Sequence, residues 1–147
     1  MSSWSDPSYP LLPFCEKHNI TMQAYMPLEQ GLLTGNMTMD TIISEKDIRN
    51  KTSWYKPENR KKVIDMLQGW KPICEKYKCE LSNIVIAWTI AQSERINVLC
   101  GGRKPHHVMK NAKSGELIMT KEDIAKMNED IENLYSSLGT SIKGNLF

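Results

Sequence analysis

Cysteine and histidine side chains are the first candidates for chemistry in this 147-residue sequence, because both types bind metal ions and cysteines also form disulfides. The four cysteines stand at positions 15, 74, 79 and 100, and no two of them form a Cys-x-x-Cys pair. His106 and His107 are adjacent, so on a helix their side chains would point about 100° apart and would suit one ion poorly. We therefore expect no metal site and reduced, partly buried thiols.

Two glycine-punctuated segments, residues 25–35 and 98–112, are the next candidates. The first begins with Tyr25 and contains Gly31, and the second carries Arg103 and Lys104 directly after two glycines. Taken alone, glycines of this kind predict turns, the two cations predict solvated side chains, and a tyrosine at a strand end is most often a core residue. The residues by themselves therefore leave a binding site and ordinary turns both open.

Charge and hydrophobicity exclude several functional classes. The net charge is +2, and the densest basic stretch, residues 50–62, interleaves cations with Trp54 and Tyr55. This pattern favours a solvated loop and helix start over a polynucleotide groove. The longest strongly apolar run, residues 84–91, is far shorter than the roughly 20 residues that cross a bilayer, and the N-terminus has no signal-peptide pattern. We expect no nucleic-acid partner, no membrane partner and a cytoplasmic location.

The elements that must position these candidates alternate between helix and strand. The sequence predicts helices over residues 10–19, 57–78, 105–114 and 120–138, strands over 20–25 and 96–100, and a long irregular segment with a turn of helix over 36–56. Residues 84–91, which Ser82 would cap, fit a helix and a buried strand equally by periodicity. Thr120 with Asp123 predicts a capped start for the last helix. Such alternation predicts parallel strands joined by right-handed crossovers.

Three segments in order resemble the aldo-keto reductase family. YMPLEQGLLTG at residues 25–35 resembles the segment that ends the seventh barrel strand of that family, and VLCGGRKPHHVMKNA at 98–112 resembles its eighth strand and the following helix. LSNIVIAW at 81–88 is similar to a family helix, which favours helix over strand there. The resemblance implies the C-terminal fragment of a (β/α)8 TIM barrel: α/β and helix-rich, with about two parallel strands and four to five helices. Residues 1–147 would form one incomplete domain, with loose tails at 1–9 and 139–147.

The resemblance also implies a site for NADP at the C-terminal ends of the two strands. Tyr25 would stack on the nicotinamide, and Arg103 would pair with the 2′-phosphate, because a guanidinium fork matches phosphate oxygens. The full set of implied cofactor-binding residues is Tyr25, Leu28, Gly31, Gly101, Arg103, Lys104 and Asn111. Leu28, Gly31 and Gly101 would let the backbone approach the pyrophosphate, Lys104 would add charge, and Asn111 would hydrogen-bond the adenine.

Departures from the family pattern qualify this expectation. Met26 replaces a usual serine and Lys110 a usual glutamate, although the charge of Lys110 would favour phosphates. We therefore expect NADP binding that is weak or vestigial. The catalytic tyrosine, lysine, aspartate and histidine of the family lie in its first barrel half, and no residue here matches them. We therefore name no catalytic residue.

Two functions remain open from the sequence. The first is an NADPH-dependent carbonyl reductase represented by its cofactor-binding part and inactive alone. The second is a non-enzymatic interaction protein derived from a truncated reductase. The small-molecule partner would be a nicotinamide nucleotide. Because two parallel strands leave open edges, the protein partner would be further copies of the chain or the missing barrel half.

Overall fold

The computed structural model describes residues 11–138. The tails predicted at 1–9 and 139–147 lie outside the described residues. Within them, six α-helices and two strands follow one another, where four to five helices were expected. Their bounds are α1 Leu11–Lys17, β1 Met22–Tyr25, α2 Pro57–Gly69, α3 Lys71–Tyr77, α4 Leu81–Ala91, β2 Ile96–Leu99, α5 Pro105–Lys113 and α6 Lys121–Ser137.

The extra helix arises because the predicted helix over 57–78 divides at Trp70, and the prediction of one continuous helix is wrong. Gly69 ends α2 and Pro72 lies in the first turn of α3. Proline lacks a backbone N–H and clashes with the preceding turn, so a helix restarts at it more readily than it continues through it. Trp70 at the break is 2% exposed, and its indole Nε1 donates to Asp130 Oδ2 at 2.9 Å.

Residues 81–91 form a helix, as the resemblance favoured, but Ser82 does not cap it. Glu80 is the N-cap, and its side chain accepts from the backbone of Asn83 while Asn83 Oδ1 accepts from the Glu80 N–H at 3.3 Å. Ser82 falls in the first turn, where its hydroxyl is buried. Every residue from 82 to 89 is buried, which explains why the sequence showed no one-sided helical pattern.

The sheet contains two parallel strands in register from Met22 opposite Ile96 to Tyr25 opposite Leu99. Strand side chains alternate between faces. Ala24 is buried on one face, whereas Tyr25 and Leu99 are exposed on the other. The pairing confirms the prediction of parallel strands, with slightly shorter limits than expected.

The hydrophobic core lies among α2, α4 and α6 rather than around the sheet. Val63, Ile84 and Met127, one from each of these helices, have no exposed surface. Thr120 caps α6 as predicted, since its Oγ1 accepts from the Asp123 N–H. The buried helix α4 packs against β2 and against α6, so it connects the sheet to the helical core.

The long segment over residues 36–56 is irregular, as predicted, with short 3₁₀ turns at Ile48–Lys51 and Ser53–Tyr55. Its path is fixed by the buried Arg60 of α2. The guanidinium donates to the carbonyl oxygens of Thr41 at 3.0 Å and Met39 at 2.9 Å. This segment is therefore attached to the helical core at Met39 and Thr41, and its buried Trp54 and Tyr55 attach it again near its end.

Candidate nucleotide site at the strand ends

Both strands end at the same edge of the sheet, because they are parallel and Tyr25 lies opposite Leu99. The segment after β1 carries Leu28 and Gly31, and the segment after β2 carries Gly101 and Arg103. We call the end of the sheet from which these two segments leave the strand-end edge. It brings both sequence-predicted segments together, although Gly31 and Gly101 stand 70 positions apart in the chain (101 minus 31).

The segment after β1 adopts an unusual backbone. Met26, Glu29 and Gln30 have positive φ angles of 52°, 44° and 52°, and Gly31 follows at 101°. The left-handed region costs an L-residue about 1–2 kcal/mol, so such residues persist only where surrounding contacts hold them. Backbone strain of this kind clusters at ligand-binding segments. The φ angle of 101° explains why position 31 is a glycine, since other residues rarely adopt it.

Contacts on both sides of this turn hold it in place. Tyr55 Oη donates to the carbonyl oxygen of Glu29 at 2.7 Å, and Thr34 Oγ1 donates to the carbonyl oxygen of Gly31 at 2.8 Å. Leu32 and Leu33, which follow the turn, are buried in the core. The turn is therefore attached on its buried side, while its other side remains open to solvent.

Open space surrounds two of the predicted glycines. A Cβ atom added at Gly31 or Gly101 would meet no atom within 4 Å. Neither glycine is therefore needed for internal packing, and a ligand can approach both backbones closely.

Two other glycines, which the sequence did not single out for binding, are needed for packing. A Cβ at Gly102 would lie 2.7 Å from Val108 Cγ2, and one at Gly35 would lie 2.5 Å from Leu81 Cδ1. Gly102 therefore lets α5 begin close to the end of β2, and Gly35 lets the segment after β1 pass close to the start of α4.

Helix α5 begins at the strand-end edge with Lys104 as its N-cap residue and Pro105 in its first turn. Arg103 and Lys104 are both exposed, and no acidic residue stands in the first turn. Backbone N–H groups at a helix start favour anions. Asn111 Nδ2 donates to the carbonyl oxygen of Gly101 at 3.1 Å, so this amide fastens the loop to the helix.

Positive charge surrounds the start of α5. Partial burial lowers the pKa of His107, and the neighbouring charges of His106, Lys104 and Lys110 lower it further. The imidazole of His107 is therefore less readily protonated than an ordinary histidine, first because burial disfavours its charged form and then because positive groups lie nearby.

The predicted contribution of Lys110 to phosphate binding is not supported by its geometry. Its Nζ forms an ion pair with Glu80 Oε2, the N-cap residue of α4. The reason is that α4 also begins on this side of the sheet, which places the Glu80 carboxylate within reach of the second turn of α5. The carboxylate neutralises a charge that the sequence alone left free for phosphates.

Within residues 11–138, no group of three or more His, Cys, Asp or Glu side chains could hold a metal ion, and the four cysteines are free thiols. Burial raises the pKa of the Cys74 thiol to about 11, with a further rise from neighbouring Cys79. Burial also raises the pKa of Cys79 and of Cys100. Raised pKa values leave little thiolate, so none of these three thiols is activated as a nucleophile. In the same residues no helix is long and apolar enough to cross a membrane.

The sequence profile of the aldo/keto reductase family matches residues 1–132. The chain belongs to the aldo/keto reductase family. This membership confirms the resemblance carried by the strand-end segments. The fold agrees, since the structure superposes on the glycerol dehydrogenase of Gluconobacter oxydans with a TM-score of 0.79 at 26% identity, over 87% of this chain and 39% of that enzyme. The two strands and their helices therefore correspond to part of an aldo/keto reductase TIM barrel.

Curated aldo/keto reductases give the same coverage. The NADH-specific methylglyoxal reductase of Escherichia coli is 39% identical over 124 residues, which are 84% of this chain and 37% of that protein. An aldo-keto reductase of Schizosaccharomyces pombe whose name specifies NADP(+) is 24% identical over 127 residues, 86% of this chain and 37% of that protein. The chain spans less than two fifths of the length of these relatives.

Sequence reasoning missed Tyr55, whose phenol donates to the carbonyl oxygen of Glu29, 26 residues earlier in the chain. Tyr55 was identified only as part of a basic and aromatic stretch. Burial raises the pKa of this phenol, which the charge of Arg49 partly offsets. The guanidinium of Arg49 lies 5.6 Å from the centre of the ring. No local pattern links a tyrosine in an irregular segment to a turn so far away, so no sequence signal could have found this contact.

Proposed function

We propose that the chain is the nicotinamide-dinucleotide-binding part of an aldo/keto reductase, an oxidoreductase that reduces carbonyl compounds. The observation that carries this proposal is the parallel register, since it brings Tyr25, the left-handed turn and the glycine-arginine segment to one edge. When bound, the cofactor supplies the hydride. The described residues supply binding and orientation.

Tyr25 is proposed to hold the nicotinamide ring. It is 67% exposed at the end of β1, although a large aromatic side chain gains free energy by burial. An exposed aromatic ring beside two open glycine backbones suits a flat, conjugated ligand. Leu28, partly buried in the same segment, would border the ring, and this role remains a proposal.

The phosphates are proposed to lie between the Gly31 turn and the start of α5. Open space at Gly31 and Gly101 admits a bulky anion. Arg103 and Lys104 bring positive charge, and the helix start adds its partial charge. Asn111, proposed from the resemblance to contact adenine, already donates one N–H to Gly101, so its side-chain oxygen and its second N–H are the groups proposed to contact the base.

The choice between NAD and NADP is proposed to depend on Arg103. The names of two relatives point in opposite directions, since one is NADH-specific and the other names NADP(+). A charge-assisted hydrogen bond contributes about 1.5–3 kcal/mol, so Arg103→Ala should weaken NADP binding about 10- to 100-fold and leave NAD binding nearly unchanged.

Calorimetric titration of both nucleotides tests this proposal, with Arg95→Ala as the matched control. Arg95 immediately precedes β2, at the opposite edge of the sheet, so its loss should change neither affinity. Equal losses for NADP and NAD in Arg103→Ala would reduce Arg103 to a general basic residue. No binding of either nucleotide by the unaltered chain would refute the proposed function.

The rest of an aldo/keto reductase barrel, which would carry the catalytic groups and the remaining strands, is proposed to pack against this sheet. The exposed sheet face carries the four residues Gln23, Tyr25, Asn97 and Leu99, and the two-stranded sheet has no further strand within residues 11–138. The chain covers 37–39% of its relatives, which supports the rest of a barrel as the partner. A homo-oligomer is the alternative partner. A purely non-enzymatic interaction role has no observation that favours it, and a cytoplasmic location stays a prediction.

A further inference from the structure

The phenol of Tyr55 connects the irregular segment over residues 36–56 to the turn at the strand-end edge. It is 5% exposed and donates to the Glu29 carbonyl oxygen at 2.7 Å. One side-chain oxygen therefore attaches to the chain directly before the two residues Gln30 and Gly31.

The attachment at Glu29 lies at the start of the most strained part of the turn. Gln30 and Gly31 have φ angles of 52° and 101°, and Glu29 itself is at 44°. An L-residue leaves this region when nothing opposes the change, because its Cβ and carbonyl oxygen crowd each other there. The Gly31 carbonyl is held separately by Thr34 Oγ1 at 2.8 Å. The turn therefore depends on a small number of identifiable hydrogen bonds.

The phenol is itself fixed in position. Tyr55 lies in the 3₁₀ turn Ser53–Tyr55, where Asn59 Nδ2 donates to the Ser53 carbonyl oxygen at 2.9 Å. Arg49 packs against the ring and is paired with Asp47 at 2.7 Å. Because helix α2 carries Asn59, the position of the phenol is set by the helical core.

We propose that Tyr55 is a positioning residue for nucleotide binding: its phenol keeps Glu29–Gly31 left-handed, so that this turn presents its open side to the dinucleotide phosphates. Tyr55 does not contact the ligand itself, since it approaches the turn from the buried side. The inference rests on the proposed function of the strand-end edge and assigns a role to the 36–56 segment.

The test is Tyr55→Phe, with Tyr77→Phe as a matched control. The phenol of Tyr77 is also hydrogen-bonded, but to the start of α6 and not to the Glu29–Gly31 turn: it donates to Asp123 Oδ2 at 2.7 Å and accepts from the Thr120 N–H at 2.8 Å. Dissociation constants for NADH and NADPH are measured by nucleotide fluorescence. Hydrogen exchange at the amides of residues 30–32 is measured without nucleotide.

Tyr55→Phe should weaken nucleotide binding about 3- to 10-fold, the range expected for losing one ordinary hydrogen bond, and should speed exchange at residues 30–32. Tyr77→Phe should lower the melting temperature but leave affinity and exchange at these amides unchanged. Thr34→Val, which removes the other bond to the turn, should act in the same direction as Tyr55→Phe.

Two results would overturn the inference while leaving the proposed function intact: unchanged affinity in Tyr55→Phe, or equal affinity losses in both tyrosine variants. An unaltered chain that binds no nucleotide would instead refute the proposed function and the role assigned here together. In that case, faster exchange in Tyr55→Phe alone would show that the phenol holds the structure of the turn and has no role in nucleotide binding.

Discussion

Two glycines in the turn between β1 and the 36–56 segment, Gly31 and Gly35, should respond differently to substitution by alanine. Gly35 has φ of 78°, and a Cβ there would lie 2.5 Å from Leu81 Cδ1 and 3.3 Å from Leu81 Cβ. Gly31 has φ of 101°, but its Cβ would meet nothing within 4 Å. Alanine should therefore strain the backbone at both positions and the packing at only one.

The magnitudes follow from these two terms. Positive φ costs an alanine about 1–2 kcal/mol, and overpacking adds about 1–3 kcal/mol. Gly31→Ala should therefore destabilise the chain by about 1–2 kcal/mol and Gly35→Ala by about 2–5 kcal/mol. At roughly 3 °C per kcal/mol for a chain of this size, Gly31→Ala should lower the melting temperature by about 3–6 °C and Gly35→Ala by about 6–15 °C.

Thermal and urea denaturation followed by circular dichroism measure both costs. Adding Leu81→Ala to Gly35→Ala removes the clash, so a double-mutant cycle should show a favourable coupling of about 1 kcal/mol or more. The same addition to Gly31→Ala should show none. Equal destabilisation by the two glycine substitutions, or no coupling to Leu81, would refute the packing of this turn against α4.

Three further predictions concern the N-cap of α6, the loss of stability at acid pH and the association of the chain. Thr120→Ala should cost about 1 kcal/mol in urea unfolding, because it removes the N-cap of α6; an unchanged midpoint would contradict that role. The Arg49 side chain, and then its backbone N–H, lower the pKa of Asp47 from 3.8 to about 2, so the folded state binds fewer protons than the unfolded state in that interval and loses stability as the pH falls from about 4 to 2. Asp47→Asn should flatten this part of the stability profile, and an unchanged slope would contradict the ion pair. Light scattering across a concentration series should show association through the exposed sheet face, and a monomer at high concentration would contradict it.

Local sequence signals predicted much of this fold. Thr120 and Asp123 marked the start of α6, and the strands appeared within two residues of their predicted bounds, because capping and β-branched patterns are properties of neighbouring residues. The sequence pattern did not reveal the division at Trp70, because apolar residues of one helical stripe lie on both sides of Pro72.

The sequence pointed to the segments of the candidate site but not to the contacts that those segments make. Family-like segments pointed to Tyr25 and Arg103, and the parallel register brings their segments to one edge. The pairing of Lys110 with Glu80 depends on how two helices start beside each other. The bond from Tyr55 to Glu29 depends on the path of an irregular segment. Neither leaves a periodic trace in the sequence.

The central claim is that the strand-end edge binds a nicotinamide dinucleotide. The most direct measurement is a titration of the isotopically labelled 147-residue chain with NADH and NADPH, followed by amide chemical shifts. Saturable changes in chemical shift should concentrate at residues 25–35 and 101–111. The chemical shifts of the α6 amides should stay unchanged. Shifts spread evenly over the surface, or no shifts at millimolar nucleotide, would contradict the account.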